Sequence, residues 1–224
     1  EGQGLSTTQS TLFEEPAGKL GPLASRLRPS SLASFVGQEH ILGPDAPLAM
    51  ALEAGNLHSF LLWGPPGVGK TTLARIYANA VGADFYELSA VEAGKDDIRK
   101  VVGVRGTLLK SKPKVLFVDE IHRFNKSQQD GLLPFVESGL VVFIGATTEN
   151  PSFEVNSALL SRAQVYVLDA LDNDALATMF TRAIAALDVR YAIEADAQQL
   201  LIDYADGDGR RFLNSIEQLD AAVR

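Results

Sequence analysis

Short apolar runs alternate with amphipathic stretches along the first part of the chain. Ser59-Phe60-Leu61-Leu62-Trp63, Val115-Leu116-Phe117-Val118 and Val141-Val142-Phe143-Ile144 are continuously apolar. Runs of that length fit strands covered on both faces. Residues 84–88 and 165–168 add two more strand candidates. Between them the period changes. Leu73, Ile76, Tyr77 and Ala80 predict a helix over 70–81, and Leu48, Ala51 and Leu52 one over 46–56. Helices are also expected over 95–102 and 124–137 and around Ala158-Leu159-Leu160. Pro134 should kink or divide the 124–137 helix. This βα alternation predicts an α/β domain, with a five-stranded, mainly parallel sheet between helices.

At about Asp169 the pattern changes to helices without strands. Leu176, Met179, Phe180, Ala183, Ile184 and Leu187 form one stripe. Ala197, Leu200, Leu201 and Tyr204 form a second, and Phe212, Ile216, Leu219 and Val223 a third. Such stripes are core positions. The expected division is a flexible tail over 1–21, an α/β domain over 22–169 and a small all-α lid over 170–224. The chain opens Glu1-Gly2-Gln3-Gly4 without Met, as an added remnant would.

Gly64-Pro65-Pro66-Gly67-Val68-Gly69-Lys70-Thr71 matches the phosphate-loop pattern G-x-x-x-x-G-K-[ST], between a strand and a helix. Backbone N–H groups of Gly67, Gly69 and Lys70 can wrap phosphates. Lys70 can reach the β- and γ-phosphates, and Thr71 can offer its hydroxyl to Mg²⁺. The strand at 115–118 ends in Asp119-Glu120. An acid there can hold Mg²⁺, and its neighbour can polarise a water for attack on the γ-phosphate. The strand at 141–144 runs into Gly145-Ala146-Thr147-Thr148-Glu149-Asn150, either a set of water-orienting groups or a plain strand-end turn. Arg162, Arg210 and Arg211 are candidate cations for transition-state charge, or surface arginines.

Composition narrows the classes. The 224 residues are 46% hydrophobic and 21% charged, as in ordinary globular chains. With no Cys, disulfides and thiolate chemistry are absent, and the three His show no metal-ligand spacing. No apolar run approaches the roughly 18–20 residues of a membrane helix. A cytoplasmic setting is expected, with no membrane partner. The net charge of −8 argues against a basic coat for nucleic acid. Seven basic residues nevertheless lie between Lys95 and Lys114, against two acidic ones. They are either a solvated loop or a contact to a phosphate backbone.

The phosphate loop, the D-E strand, the T-T strand end, the S-R pair at Ser161-Arg162 and Gly207-Asp208-Gly209-Arg210 together resemble the AAA+ ATPases. Asp119-Glu120-Ile121-His122-Arg123-Phe124-Asn125-Lys126-Ser127-Gln128-Gln129-Asp130 is similar to the replication-associated recombination protein A family. So is Ile144-Gly145-Ala146-Thr147-Thr148-Glu149-Asn150-Pro151-Ser152-Phe153-Glu154. The eukaryotic relative is the Werner-helicase-interacting protein.

The resemblance implies ATP and Mg²⁺ as cofactors. Lys70 and Thr71 become Walker A; Asp119 and Glu120 become Walker B. Nucleotide contacts are implied from Val36 and Gly37 by the adenine and from Pro65, Pro66, Gly67, Val68, Gly69, Lys70, Thr71 and Thr72. Thr148 becomes sensor 1, Arg210 sensor 2, and Arg162 the arginine finger given to a neighbouring subunit. Ser89 sits where relatives carry a residue that restrains the catalytic glutamate. The family acts on DNA at stalled or damaged replication forks, works with single-strand-binding protein, and forms tetramers through a C-terminal domain. The chain stops at Arg224, so it is expected to be an ATPase core without that domain.

The expected function is therefore a DNA-dependent ATPase acting on single strands, duplex ends or forks. The alternatives are a clamp-loader subunit or branch-migration motor and, from another class, a nucleotide-gated recruitment module with little hydrolysis. One tail pattern adds a partner. Gln9-Ser10-Thr11-Leu12-Phe13 has the form Q-x-x-L-F, which resembles a peptide that binds the bacterial sliding clamp. Leu12 and Phe13 could instead staple the tail to the domain.

Overall fold

The continuous apolar runs become strands of one parallel sheet. A computed structural model of the chain describes residues 21–89, 98–100 and 112–224. Its strands are β1 (Phe60–Trp63), β2 (Asp84–Ser89), β3 (Lys114–Asp119), β4 (Val142–Thr147) and β5 (Gln164–Val167). They lie in the order β2-β3-β4-β1-β5, and every pairing is parallel. Successive side chains of a strand point to opposite faces. Phe60 and Leu62 enter one core with Leu73, Tyr77 and Ile144. Leu61 enters a second, on the other face, with Phe143, Leu132 and Leu159. Both faces are buried, so both sets of positions are apolar.

The helices are α1 (Leu23–Arg26), α2 (Glu39–Leu42), α3 (Pro47–Glu53), α4 (Lys70–Ala80), α5 (Lys126–Glu137), α6 (Pro151–Glu154), α7 (Ser157–Leu160), α8 (Asn173–Leu187), α9 (Ala195–Ala205) and α10 (Gly209–Val223). Of the helix expected over 95–102, the described residues 98–100 are helical and Ile98 is buried. The tail pattern at 9–13 and most of the basic stretch lie outside the described residues. Ser89 ends β2, but its side chain is likewise outside them.

α8, α9 and α10 form the lid, with a third core around Leu176, Phe180, Phe212 and Ile216. α1 packs there as well: Leu23 belongs to the lid core, and its N–H donates to Glu217 Oε1 at 3.0 Å.

Two expectations need correction. α5 runs through Pro134 undivided; it starts at Lys126, where Asn125 and Gln128 form a capping box. The proline sits in the last turn and removes one donor, while Ser138 N–H still reaches the Pro134 carbonyl at 3.2 Å. In the lid, the stripe read on α9 is rotated. Ile202 and Ala205 are buried and Leu201 half-buried, while Leu200 and Tyr204 are 70% and 66% exposed. Among the described residues no helix is long and apolar enough to cross a membrane.

The register positions the site. Trp63 lies opposite Thr147 and Val167, and Ser89 opposite Asp119. The loop after β1, the carboxylates after β3, the polar end of β4 and the linker after β5 therefore share one end of the sheet.

Candidate nucleotide site

Gly64 leaves β1, its N–H still bonded to the Thr147 carbonyl at 3.1 Å, and the loop turns back into α4. Gly67 and Gly69 hold φ of 73° and 102°, a backbone region that favours glycine. Close approach demands them too. A Cβ on Gly67 would lie 1.7 Å from Asp208 Oδ1, and one on Gly69 2.6 Å from Phe35 Cζ. Gly69 caps α4, so the first N–H groups of an 11-residue helix open toward the loop, a setting made for phosphate.

Lys70 is the first residue of α4. Its ammonium donates to the carbonyls of Gly64 and Pro65, both at 2.7 Å. Burial lowers its pKa from 10.5 to about 8; Asp119 and Asp208 pull it back up, and Arg210 pushes it further down. Asp119, Asp208 and Arg210 thus lie near enough to act on the lysine's charge. Asp119 ends β3 half-buried and accepts the Glu120 N–H at 2.9 Å. Glu120 has a left-handed backbone, φ 50°, uncommon for a non-glycine and a mark of functional sites. Its carboxylate is ion-paired with Arg123 at 3.0 Å.

At the end of β4 the two threonines diverge. Thr147 is 1% exposed, and its hydroxyl sits 3.0 Å from His122 Nδ1 and bonds the Glu149 backbone. Thr148, the residue singled out from sequence, is exposed one position further on. Thr71 is half-buried beside Lys70 at the start of α4. A hydroxyl and a carboxylate at a phosphate loop are the hard-oxygen donors a Mg²⁺–nucleotide complex takes, so the residues present fit that group.

Beside the loop a cavity opens between the sheet end and the C-terminal helices. Phe35, Val36 and Thr72 line it from one side, and Leu171, Met179 and Arg210 from the lid. It is mostly apolar, adjoins the loop and suits a base and sugar. Val36 lines it as the resemblance implied. Gly37 stands behind, where a Cβ would come within 3.1 Å of Leu171 Cδ2. Both lid arginines are exposed, but Arg210 lines the cavity, whereas the Arg211 backbone serves the Asp208 cap at 3.0 Å.

Arg162 is not brought there. It precedes β5, whose first residue, Gln164, pairs with Phe60 at the start of β1, while the phosphate loop follows the end of β1. At about 3.3 Å per residue, the length of the strand separates them. Its guanidinium pairs with Glu137 at 2.7 Å and donates to the Ala158 carbonyl and Ser161 Oγ. Buried Gln129 anchors that region, donating to the Phe124 and Glu154 carbonyls and accepting from Asn156 N–H.

Asp208 and Arg123 were given no role of their own from sequence. Asp208 sits inside the G-D-G-R string and was read only as a marker of the lid helix. Arg123 was read only as part of the run 119–130, and its pairing with Glu120 depends on the turn between them.

The family model of the ATPase family associated with various cellular activities (AAA) matches residues 60–169. Replication-associated recombination protein A of Escherichia coli strain K12 is 47% identical over 204 residues, 88% of this chain and 46% of that protein. ATPase WRNIP1 of Dictyostelium discoideum is 45% identical over 225 residues, 98% of this chain and 25% of that protein. The chain thus spans about half the length of the first of these relatives, or less. Among solved structures, Thermotoga maritima RuvB, described as a Holliday junction branch migration motor, matches with a TM-score of 0.69 at 34% identity. That match covers 84% of this chain and 63% of RuvB. With the phosphate loop, the paired acids and the lid arginine at one end of the sheet, the chain belongs to the AAA+ ATPases, in the group of replication-associated recombination protein A and WRNIP1.

Proposed function

We propose that the chain is the catalytic core of a DNA-dependent ATPase that maintains stalled or damaged replication forks. The observation that supports it most is the convergence of Lys70, Asp119 and Arg210, charged groups from three separate segments, on one phosphate loop. The names of the relatives supply the setting, replication-associated recombination.

In this reading the loop amides and Lys70 bind the ATP phosphates, and the cavity at Val36 holds the adenine. Thr71 and Asp119 would hold Mg²⁺ with the nucleotide, and the ion would supply charge neutralisation at the phosphates. Glu120 accepts a proton from the attacking water while Thr148 orients it. Arg210 holds the nucleotide from the lid. Arg162 serves the site of a neighbouring subunit, because it lies at the opposite end of the sheet from its own loop. The proposal extends to single-strand-binding protein and DNA ends or forks as partners, to a tetramer, and to a sliding-clamp anchor at 9–13 in the tail.

Glu120→Gln tests the chemistry. Nucleotide affinity is expected to stay within about threefold, and turnover to fall at least about 100-fold, because only the proton acceptor changes. Turnover at the parent rate removes Glu120 from the role. Assays with single strands, duplex ends and forks then test the DNA dependence. One observation favours a second reading, a low-turnover nucleotide-gated recruitment module: Arg123 already neutralises the Glu120 carboxylate at 3.0 Å. Turnover that stays low with every DNA added supports that module instead.

A further inference from the structure

Gln38 has no place in the chemistry above, yet it is one of few buried polar side chains, 5% exposed. Its backbone is left-handed, φ 66° and ψ 33°, in a residue that is not glycine. Its amide pairs with Asp169 as a neighbouring strand would. Gln38 Nε2 donates to the Asp169 carbonyl at 2.8 Å, and the Asp169 N–H donates to Gln38 Oε1 at 2.9 Å. β5 makes its last bond to β1 one residue earlier, from the Leu168 N–H to the Trp63 carbonyl at 2.7 Å. Gln38 therefore takes over where strand pairing stops, at the linker into the lid.

The bonds continue beyond that point. The Leu171 N–H donates to the Gly207 carbonyl at 3.0 Å, and the Gly209 N–H donates to the carbonyl of Gly67 in the phosphate loop at 2.9 Å. Arg210 comes next in the chain. In the other direction, Gln38 follows Phe35 and Val36, which line the cavity. Wall of the base cavity, linker, lid turn and phosphate loop thus form one closed circuit, in which Gln38 is a side-chain link. A buried amide with both functions paired is costly to break, since two backbone groups and the side chain lose partners together.

We infer that Gln38 is a positioning residue: it fixes the linker into the lid, and so holds Arg210 at the nucleotide site. This rests on the nucleotide site proposed above. It differs from the plain alternative, in which Gln38 only satisfies the Asp169 backbone. In that case its loss lowers stability but is independent of Arg210.

A double-mutant cycle on this chain separates the two, read as the affinity for a methylanthraniloyl-labelled ATP. Gln38→Ala and Arg210→Ala are each expected to weaken binding about tenfold, and the double variant also about tenfold rather than about 100-fold, because both remove one arrangement. Glu137→Ala, at the other end of the sheet, is expected to leave affinity within about twofold in either background. Gln38→Glu keeps the size and the acceptor but loses the donor to Asp169. It is expected to repeat the loss and carries the test if Gln38→Ala fails to fold. Hydrogen exchange at the Leu171 amide is expected to quicken in the Gln38 variants. Multiplying losses, or Gln38 variants with parent affinity, overturn the inference. A parent chain that does not bind the probe overturns the nucleotide reading and this inference with it.

Discussion

Lys70 and Arg162 stand at opposite ends of one sheet, Lys70 held by backbone carbonyls and Arg162 by one carbonyl, a serine hydroxyl and an exposed carboxylate. Lys70 is gripped by two backbone carbonyls at 2.7 Å, in a loop fixed by β1 and α4, and burial drops its pKa to about 8. Arg162 is over a third exposed, and its ionic partner among the described residues is the similarly exposed Glu137. Backbone partners move only if the loop moves. An exposed ion pair is worth about 0–1 kcal/mol, so another anion can replace Glu137 at little cost. Lys70 is therefore built into a site of its own chain. Arg162 is held at the other end of the sheet, by Glu137, the Ala158 carbonyl and Ser161 Oγ, and among the described residues has no contact with that site.

The comparison predicts unequal effects. Lys70→Ala is expected to weaken nucleotide binding at least about 100-fold, because the phosphates lose their main cation. Arg162→Ala is expected to leave it within about twofold. Titration calorimetry checks both, and a large loss from Arg162→Ala breaks the contrast.

A smaller effect follows from the pKa. In the free chain Lys70 loses its proton near pH 8, and a bound phosphate raises its pKa again by opposite charge. Binding therefore takes up a proton above about pH 8, and affinity falls as pH rises through that window. Buffers of different ionisation enthalpy reveal the uptake as a buffer-dependent heat. Arg162→Ala should leave it in place, and Lys70→Arg should remove it. The smallest effect is that of Glu137→Ala, expected to change stability by less than about 1 kcal/mol in thermal unfolding. A larger loss makes that pair structural rather than exchangeable.

Much of the site was legible because its signals are local. The loop and the D-E pair each follow a strand buried on both faces, and such strands announce themselves as apolar runs. The relation of Arg162 to that site was not legible from spacing. It follows from the register of β5 on β1, which pairs residues about a hundred positions apart. The Gln38–Asp169 pair is hidden for the same reason, at a separation of 131 residues. The α9 stripe failed differently. Leu200 and Tyr204 recur at helical spacing, but the cores of α8 and α10 meet the adjacent face, through Ile202 and Ala205. Pro134 does not divide its helix, because a proline in a last turn removes a single bond.

The most direct test of the division between the two cations mixes two defective subunits. Each is made in the full-length protein, where the proposed tetramer can form. Lys70→Ala keeps the finger and loses the site, and Arg162→Ala keeps the site and loses the finger. Each alone should turn over ATP about 10³-fold or more below the parent, within the range known for arginine fingers. ATP turnover of the mixture, measured across mixing ratios, should recover well above either alone, since sites in one subunit then receive Arg162 from the other. Absence of recovery at every ratio, in subunits shown to co-assemble, contradicts the account.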